Sequence, residues 1–262
     1  MSTVDALIIT ALPEEYRAAL AVTGASEWRK HGTAGPAPYV TTEYRAGNGR
    51  TLSVALARPT RMGGRSTGPI ATMLTDELRP TCLAMCGVCA GRPGSTRRGD
   101  VIVAESACEW DEGRHTGADF HPDRQQYPQD DRWLRAAQDF DPAGLPGHGV
   151  HDVAADEVGG PERLPFRVFA GPMASGSAVI SVPGFWTRLS AGQRRIMALE
   201  MEAATIATVA HERRVPHWLV AKGVMDHADL AKDDRFKSFA ARASAEVLFA
   251  LLGRLLIIPV NG

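Results

Sequence analysis

The chain has 262 residues, 44% of them hydrophobic, with 29 basic and 30 acidic side chains and a formal net charge of −1. That length suffices for one large α/β unit with its own core, and the near-neutral balance argues against a dedicated nucleic-acid binder, which carries a basic surplus. No run approaches the about 18 apolar residues of a membrane span, and Asp5 interrupts the first apolar stretch with no basic leader before it, so neither a membrane partner nor a signal peptide is expected and the expected location is the cytoplasm.

Residues 4–10 form an apolar run and read as a buried strand. Pro13 suits the first turn of a helix, which puts Glu14 and Glu15 in that turn, favourably placed for the helix dipole. A second strand covers 52–57. Gly63-Gly64 breaks the chain ahead of a helix over 66–78, Pro80 ends that helix, and 81–87 forms a third strand. Gly99-Asp100 is a turn before a strand at 101–104. Residues 111–165 hold many Gly, Pro, Asp and His with weak periodicity, and read as an irregular insert with one short helix at 131–140, the kind of segment that makes lids or interfaces. Strand returns at 166–170. Residues 200–213 have helical periodicity, with Met201, Ile206 and Val209 among the apolar positions. Trp218-Leu219-Val220-Ala221 reads as a buried strand, and Asp233 and Asp234 precede a last amphipathic helix over 236–256. Strands alternating with helices imply an α/β fold, a largely parallel sheet flanked by helices.

Cys86-Gly87-Val88-Cys89 matches C-x-x-C, but a redox or zinc role needs a helix N-terminus or a second ligand pair. The four cysteines read instead as reduced thiols, this pair packed at a strand end. The eight histidines are scattered with no His/carboxylate cluster at ligand spacing, so no metal is expected.

Two acidic strings carry the chemistry. Glu200-Met201-Glu202-Ala203-Ala204 opens a helix, and Lys222-Gly223-Val224-Met225-Asp226-His227-Ala228-Asp229 follows the apolar run at 218–221. The C-terminal end of a strand is where open α/β sheets present ligand-binding groups. Two carboxylates in one cleft suit a reaction that develops positive charge and needs a delivered proton; breaking the bond between a sugar and a purine is such a reaction.

With Ala11-Leu12-Pro13-Glu14-Glu15, Cys86-Gly87-Val88-Cys89-Ala90-Gly91 and Ala174-Ser175-Gly176-Ser177-Ala178 preceding them in order, these strings resemble the nucleoside phosphorylase/nucleosidase superfamily, and within it the methylthioadenosine/S-adenosylhomocysteine nucleosidase branch. The likeness runs along nearly the whole chain. It implies a single three-layer αβα domain over 1–262 with a twisted mixed β-sheet, and hydrolysis of the N-glycosidic bond of an adenosine-type nucleoside or nucleotide, releasing adenine. It implies no organic cofactor. It also implies a homo-oligomer, a dimer or higher, whose pocket is completed across the interface, with 111–165 as the candidate contact.

By that resemblance Asp226 is the acid that protonates the purine at N7, Glu15 activates water, and Glu202 accepts hydrogen bonds from the ribose hydroxyls beneath an apolar wall from Met201. Val179 and Ile180 contact the base, and Cys89 faces the sugar or the nucleophile. Glu200 and Asp229 read as structural, Glu14 as solvated, and Trp110 equally as a pocket wall or a core residue. Arg58, Arg61 and Arg65 crowd the Gly63-Gly64 turn, where they either solvate the surface or hold phosphate, with Arg61 and Arg65 the phosphate or 5′-group candidates. His115, His121 and Arg124 are further candidates for a 5′ substituent.

Two departures from the bacterial phosphorylase pattern favour water as nucleophile. A carboxylate stands at the early segment where that branch has a phosphate-binding Arg, and the 86–91 string lacks its Arg and Ser. Met225 replaces the small Ser that the methylthioadenosine branch places before the acid, which leaves the exact substrate open. Phosphorolysis and non-catalytic nucleoside binding are the alternatives.

Overall fold

In the computed structural model, which describes residues 3–32, 35, 37–117, 119–145, 166–230 and 234–256, the first apolar run becomes β1 (Ala6–Ile9) with all four side chains buried. A strand buried on both faces needs cover above and below. Side chains alternate across a sheet, so Ala6 and Ile8 enter one core while Leu7 and Ile9 enter a second. The same alternation runs along β5 (Cys82–Gly91), where Cys82, Ala84 and Cys86 face the first core and Leu83, Met85 and Cys89 the second. The first core is closed by α1 (Pro13–Leu20), α3 (Asp131–Gln138) and α6 (Lys237–Leu255), the second by α2 (Gly64–Leu78) and α5 (Ala203–Glu212). Helices on both faces of one sheet give the three layers expected.

The remaining strands of that sheet are β2 (Arg29–His31), β3 (Tyr39–Arg45), β4 (Thr51–Ala57), β6 (Val101–Glu109), β9 (Tyr127–Pro128), β10 (Val168–Ser175), β11 (Ala198–Glu200) and β12 (His217–Asp226). The order is β11-β10-β6-β12-β5-β1-β4-β3-β2, with β9 joined to β6. Pairing is mixed: β1 runs parallel to β4 and β5, and β12 parallel to β5 but antiparallel to β6. The twisted mixed sheet flanked by helices is therefore present. It has one further property. β11 also pairs antiparallel with β5, Ala198 opposite Gly91 and Leu199 opposite Ala90, so β11, β10, β6, β12 and β5 close on themselves. Closure brings the end of β11, the end of β12 and the last part of β5 around one hollow.

Three expectations need correction. Residues 113–145 are not irregular. They contain an antiparallel hairpin of β7 (Gly113–Thr116) and β8 (Asp119–Pro122), then β9, then the expected helix as α3 and a short 3-10 turn at Pro142–Gly144. The hairpin is polar and exposed, so no apolar alternation announces it. Residues 146–165 lie outside the described residues. The helix expected from 200 begins at Ala203, because Glu200 is the last residue of β11 and Glu202 is the N-cap. β2 and β3 were not foreseen either. No described helix is long and apolar enough to cross a membrane.

Candidate active site

The seven residues nominated above as catalytic or substrate-contacting, Glu15, Cys89, Val179, Ile180, Met201, Glu202 and Asp226, all line one cavity of about 330 Å³. They come from the ends of β1, β5, β11 and β12 and from the segment after β10, which the sheet closure gathers together.

Glu15 sits in the first turn of α1 and is buried. Its Oε2 accepts from the backbone N–H groups of Ala11 (2.8 Å) and Leu12 (2.9 Å), and its Oε1 from Val88 N–H (2.9 Å). A carboxylate has about four acceptor sites, so one remains on Oε1. Gly87 makes this possible: a Cβ there would overlap the Glu15 carboxylate. The glycine lets the acid lie directly on the β5 backbone.

Glu202 reaches the other way. Its Oε1 accepts from Gly63 N–H (2.8 Å), at the N-cap of α2, and its Oε2 from Lys222 Nζ (3.1 Å). Gly63 has φ 97°, and a Cβ on Gly64 would collide with Thr205 of α5. The Gly63-Gly64 pair thus supplies both a left-handed backbone and the close approach of α2 to α5. Glu200 lies on the same lining, with its carboxylate engaged by the protein. It accepts from the backbone N–H groups of Glu202 and Ala203 at 3.0 Å and from Ser175 Oγ, and so satisfies the open donors at the start of α5.

Lys222 is the residue that sequence reasoning passed over. It is 0% exposed, in the middle of β12, with Nζ 3.1 Å from both Glu200 Oε2 and Glu202 Oε2. Burial alone disfavours its charge, but the attraction of Glu202, Glu200 and Glu15 outweighs burial and holds the ammonium above its ordinary value. Burial pushes Glu202 up, Lys222 and the Gly63 N–H oppose that, and Glu200 and Glu15 add to it. A charged residue inside an apolar strand was the available signal, since such a residue needs a partner.

Asp226 closes β12 and is buried. The register of β12 against β5 shifts between Val224 and Asp226, a bulge that re-aims the side chain. Its Oδ1 accepts from Ala228 N–H at 2.8 Å, and Ala228 takes a left-handed φ of 54°. The turn is pinned by His227 Nδ1 against Gly91 O (2.8 Å) and by Trp186 Nε1 donating to His227 O (2.8 Å). Burial pushes the Cys89 and Cys86 thiols well up, so both are neutral packing groups. All four cysteines are free and buried.

A family model described as the phosphorylase superfamily matches residues 5–256. The chain belongs to the phosphorylase superfamily. It is 26% identical to ATP nucleosidase Cap17 of Escherichia coli over 94% of this chain and 50% of that protein. It is 26% identical to the 5′-methylthioadenosine/S-adenosylhomocysteine nucleosidase of Desulfotalea psychrophila over 70% of this chain and 73% of the relative. The chain therefore spans about half the length of Cap17. Among solved structures, the corresponding nucleosidase of Neisseria meningitidis in complex with methylthio-immucillin-A has a TM-score of 0.72 at 16% identity, covering 96% of this chain and 100% of that one. This likeness is one of fold.

Beside the first cavity lies a second, of about 650 Å³, which shares Met62 and Met201 with it. Arg65 lines the second cavity, facing Glu109, Asp111 and Glu112. Burial, then Glu200, Asp111, Glu112 and Glu202, pushes Glu109 up to about 7. Arg61 is exposed and lines neither cavity, and Arg58 donates to Pro59 O. Two of the residues proposed for a 5′ substituent stand elsewhere: His121 bonds Thr116 Oγ1, and Arg124 Nε donates to Trp110 O. The His115 side chain lies outside the described residues. Trp110 packs edge-on to Phe185 of α4 (Phe185–Gly192) at 5.1 Å and against Gly176, behind the lining of the second cavity. No group of His, Cys, Asp and Glu among the described residues is arranged to hold a metal ion.

Proposed function

We propose that this chain hydrolyses the N-glycosidic bond of an adenosine-type nucleoside or nucleotide and releases adenine. The observation that carries the reading is the arrangement of Glu15, Glu202 and Asp226 on one cavity, each carboxylate fixed by at least one backbone N–H. Support comes from superfamily relatives that are themselves an ATP nucleosidase and a 5′-methylthioadenosine/S-adenosylhomocysteine nucleosidase.

In this reading Asp226 gives its proton to purine N7 as the C1′–N9 bond breaks and its electron pair leaves with the base. The sugar passes through an oxocarbenium-like state. Negative charge on Glu202, beside Met201, holds the ribose hydroxyls and favours that state. The open site on Glu15 Oε1 takes a proton from water as its oxygen bonds to C1′. Val179 and Ile180 border the base, and Cys89 the sugar. The balance is one water added across one bond.

Water is favoured over phosphate because Glu15 presents negative charge at the attack side and Lys222 is held between two carboxylates. Arg61 and Arg65 remain proposals for a 5′ phosphate. We further propose one domain over 1–262, in the cytoplasm, acting as a homo-oligomer. The test is adenine release from adenosine, methylthioadenosine, S-adenosylhomocysteine, AMP and ATP in phosphate-free buffer. Release supports hydrolysis. Release only on adding phosphate moves the assignment to a phosphorylase, and no release from any of them leaves a nucleoside-binding protein.

A further inference from the structure

We propose that Lys237 selects substrates whose 5′ substituent carries negative charge, a phosphate or a carboxylate; this rests on the nucleosidase reading above. Lys237 opens α6 and lines the 330 Å³ cavity together with Asp226, Asp234 and Glu15. Among the described residues it is the one basic side chain on that lining.

Four of the five acids on that lining have other partners, and the fifth, Asp234, is exposed. Glu15 is bonded by three backbone N–H groups, Glu200 and Glu202 by Lys222 and further backbone donors, and Asp226 by Ala228 N–H. Among the described residues no carboxylate lies within ion-pair distance of Lys237. The ammonium is partly exposed on that lining, and an anionic ligand group can accept a charge-assisted hydrogen bond from it.

Position fits the role. α6 packs along α1, so the first turn of α6, with Lys237, and the first turn of α1, with Glu15, open on the same cavity. With the base at Asp226 and the ribose hydroxyls at Glu202, the 5′ group is the part of the substrate left to meet Lys237. Arg65 is a poorer candidate, because it lies on the second cavity, whereas Lys237 shares its lining with Asp226 and Glu202.

The experiment compares wild type, Lys237→Met and Lys237→Arg. Two quantities are read: kcat/KM for AMP relative to adenosine and for S-adenosylhomocysteine relative to methylthioadenosine, and the equilibrium Kd for the same four compounds. A charge-assisted contact predicts that Lys237→Met lowers at least one of these two ratios by about ten- to a hundredfold, mainly through KM, and that Lys237→Arg retains it. A fall for AMP identifies phosphate, and a fall for S-adenosylhomocysteine alone identifies its carboxylate. Unchanged ratios in Lys237→Met overturn the proposal. Should wild type release no adenine, the nucleosidase reading fails while the Kd ratios still decide on Lys237, and equal or absent binding of anionic and neutral compounds overturns it.

Discussion

The two cavities meet at Met62 and Met201 and are both acidic, yet they are built differently. In the first, Glu15, Glu200, Glu202 and Asp226 are each bonded by main-chain N–H groups of the loop after β1, β5, the starts of α2 and α5, or the turn after β12. In the second, Glu109, Asp111 and Glu112 share a larger space with Arg65; Glu112 accepts one N–H, from the exposed loop residue Gln125, and Glu109 is raised to about 7 by burial and like charge. A cluster of acids is not a site. Acids whose direction is set by secondary structure can be aimed at a reacting atom.

That contrast can be broken first at Asp226. Asp226→Asn keeps shape and removes the proton that the proposed mechanism has Asp226 donate, and general acid catalysis is worth about 10²–10⁴-fold. Adenine release is expected to fall by that factor with nucleoside Kd retained; a variant with wild-type turnover would remove Asp226 from the mechanism. Glu15→Gln tests the opposite wall, with a similar expected loss in kcat. A rate that stays high there would mean that water needs no base. Gly87→Ala asks whether the fixing matters: its Cβ displaces the Glu15 carboxylate, and misplacement of that order costs about 10²-fold. Steady-state kinetics alongside a thermal melt separates misplacement from unfolding.

Lys222→Met acts on stability. It strands Glu200 and Glu202 as buried charges, and breaking a buried pair costs about 3–5 kcal/mol, read as a lower midpoint in denaturant. The smallest effect belongs to the second cavity. Between 4.5 and about 7 the folded chain holds the Glu109 proton more tightly than the unfolded chain, so stability falls as pH rises through that window. Glu109→Gln is expected to flatten that slope and to be slightly more stable than wild type at pH 8, by less than about 1 kcal/mol because Glu109 is part-exposed. Melting curves at pH 5 and pH 8 check this.

Much of the fold was legible because its strands are buried on both faces. The runs at 4–10, 81–87 and 218–221 are apolar without interruption or nearly so, and they became β1, β5 and β12. Candidate site residues were legible through short strings rather than through periodicity: Glu15, Glu202 and Asp226 stand where the strings put them, on one cavity. β11, at three residues, is too short for a period of two to register, so Glu200 was taken into the helix that follows it. The β7–β8 hairpin carries one aromatic, Phe120, and that is too little for an apolar alternation. The closure of β11 onto β5 is a long-range pairing that no local pattern encodes. Lys222 could have been found from its place in an apolar strand. Lys237 could not, because a lysine opening an amphipathic helix looks like any solvated one.

The most direct measurement of the central claim is the identity of the sugar product. The purified chain is given its preferred adenine compound with saturating phosphate present, and the sugar is read by mass spectrometry. The account predicts the free sugar, with C1 carrying a hydroxyl derived from water. A sugar 1-phosphate would contradict it and would make phosphate, not water, the nucleophile.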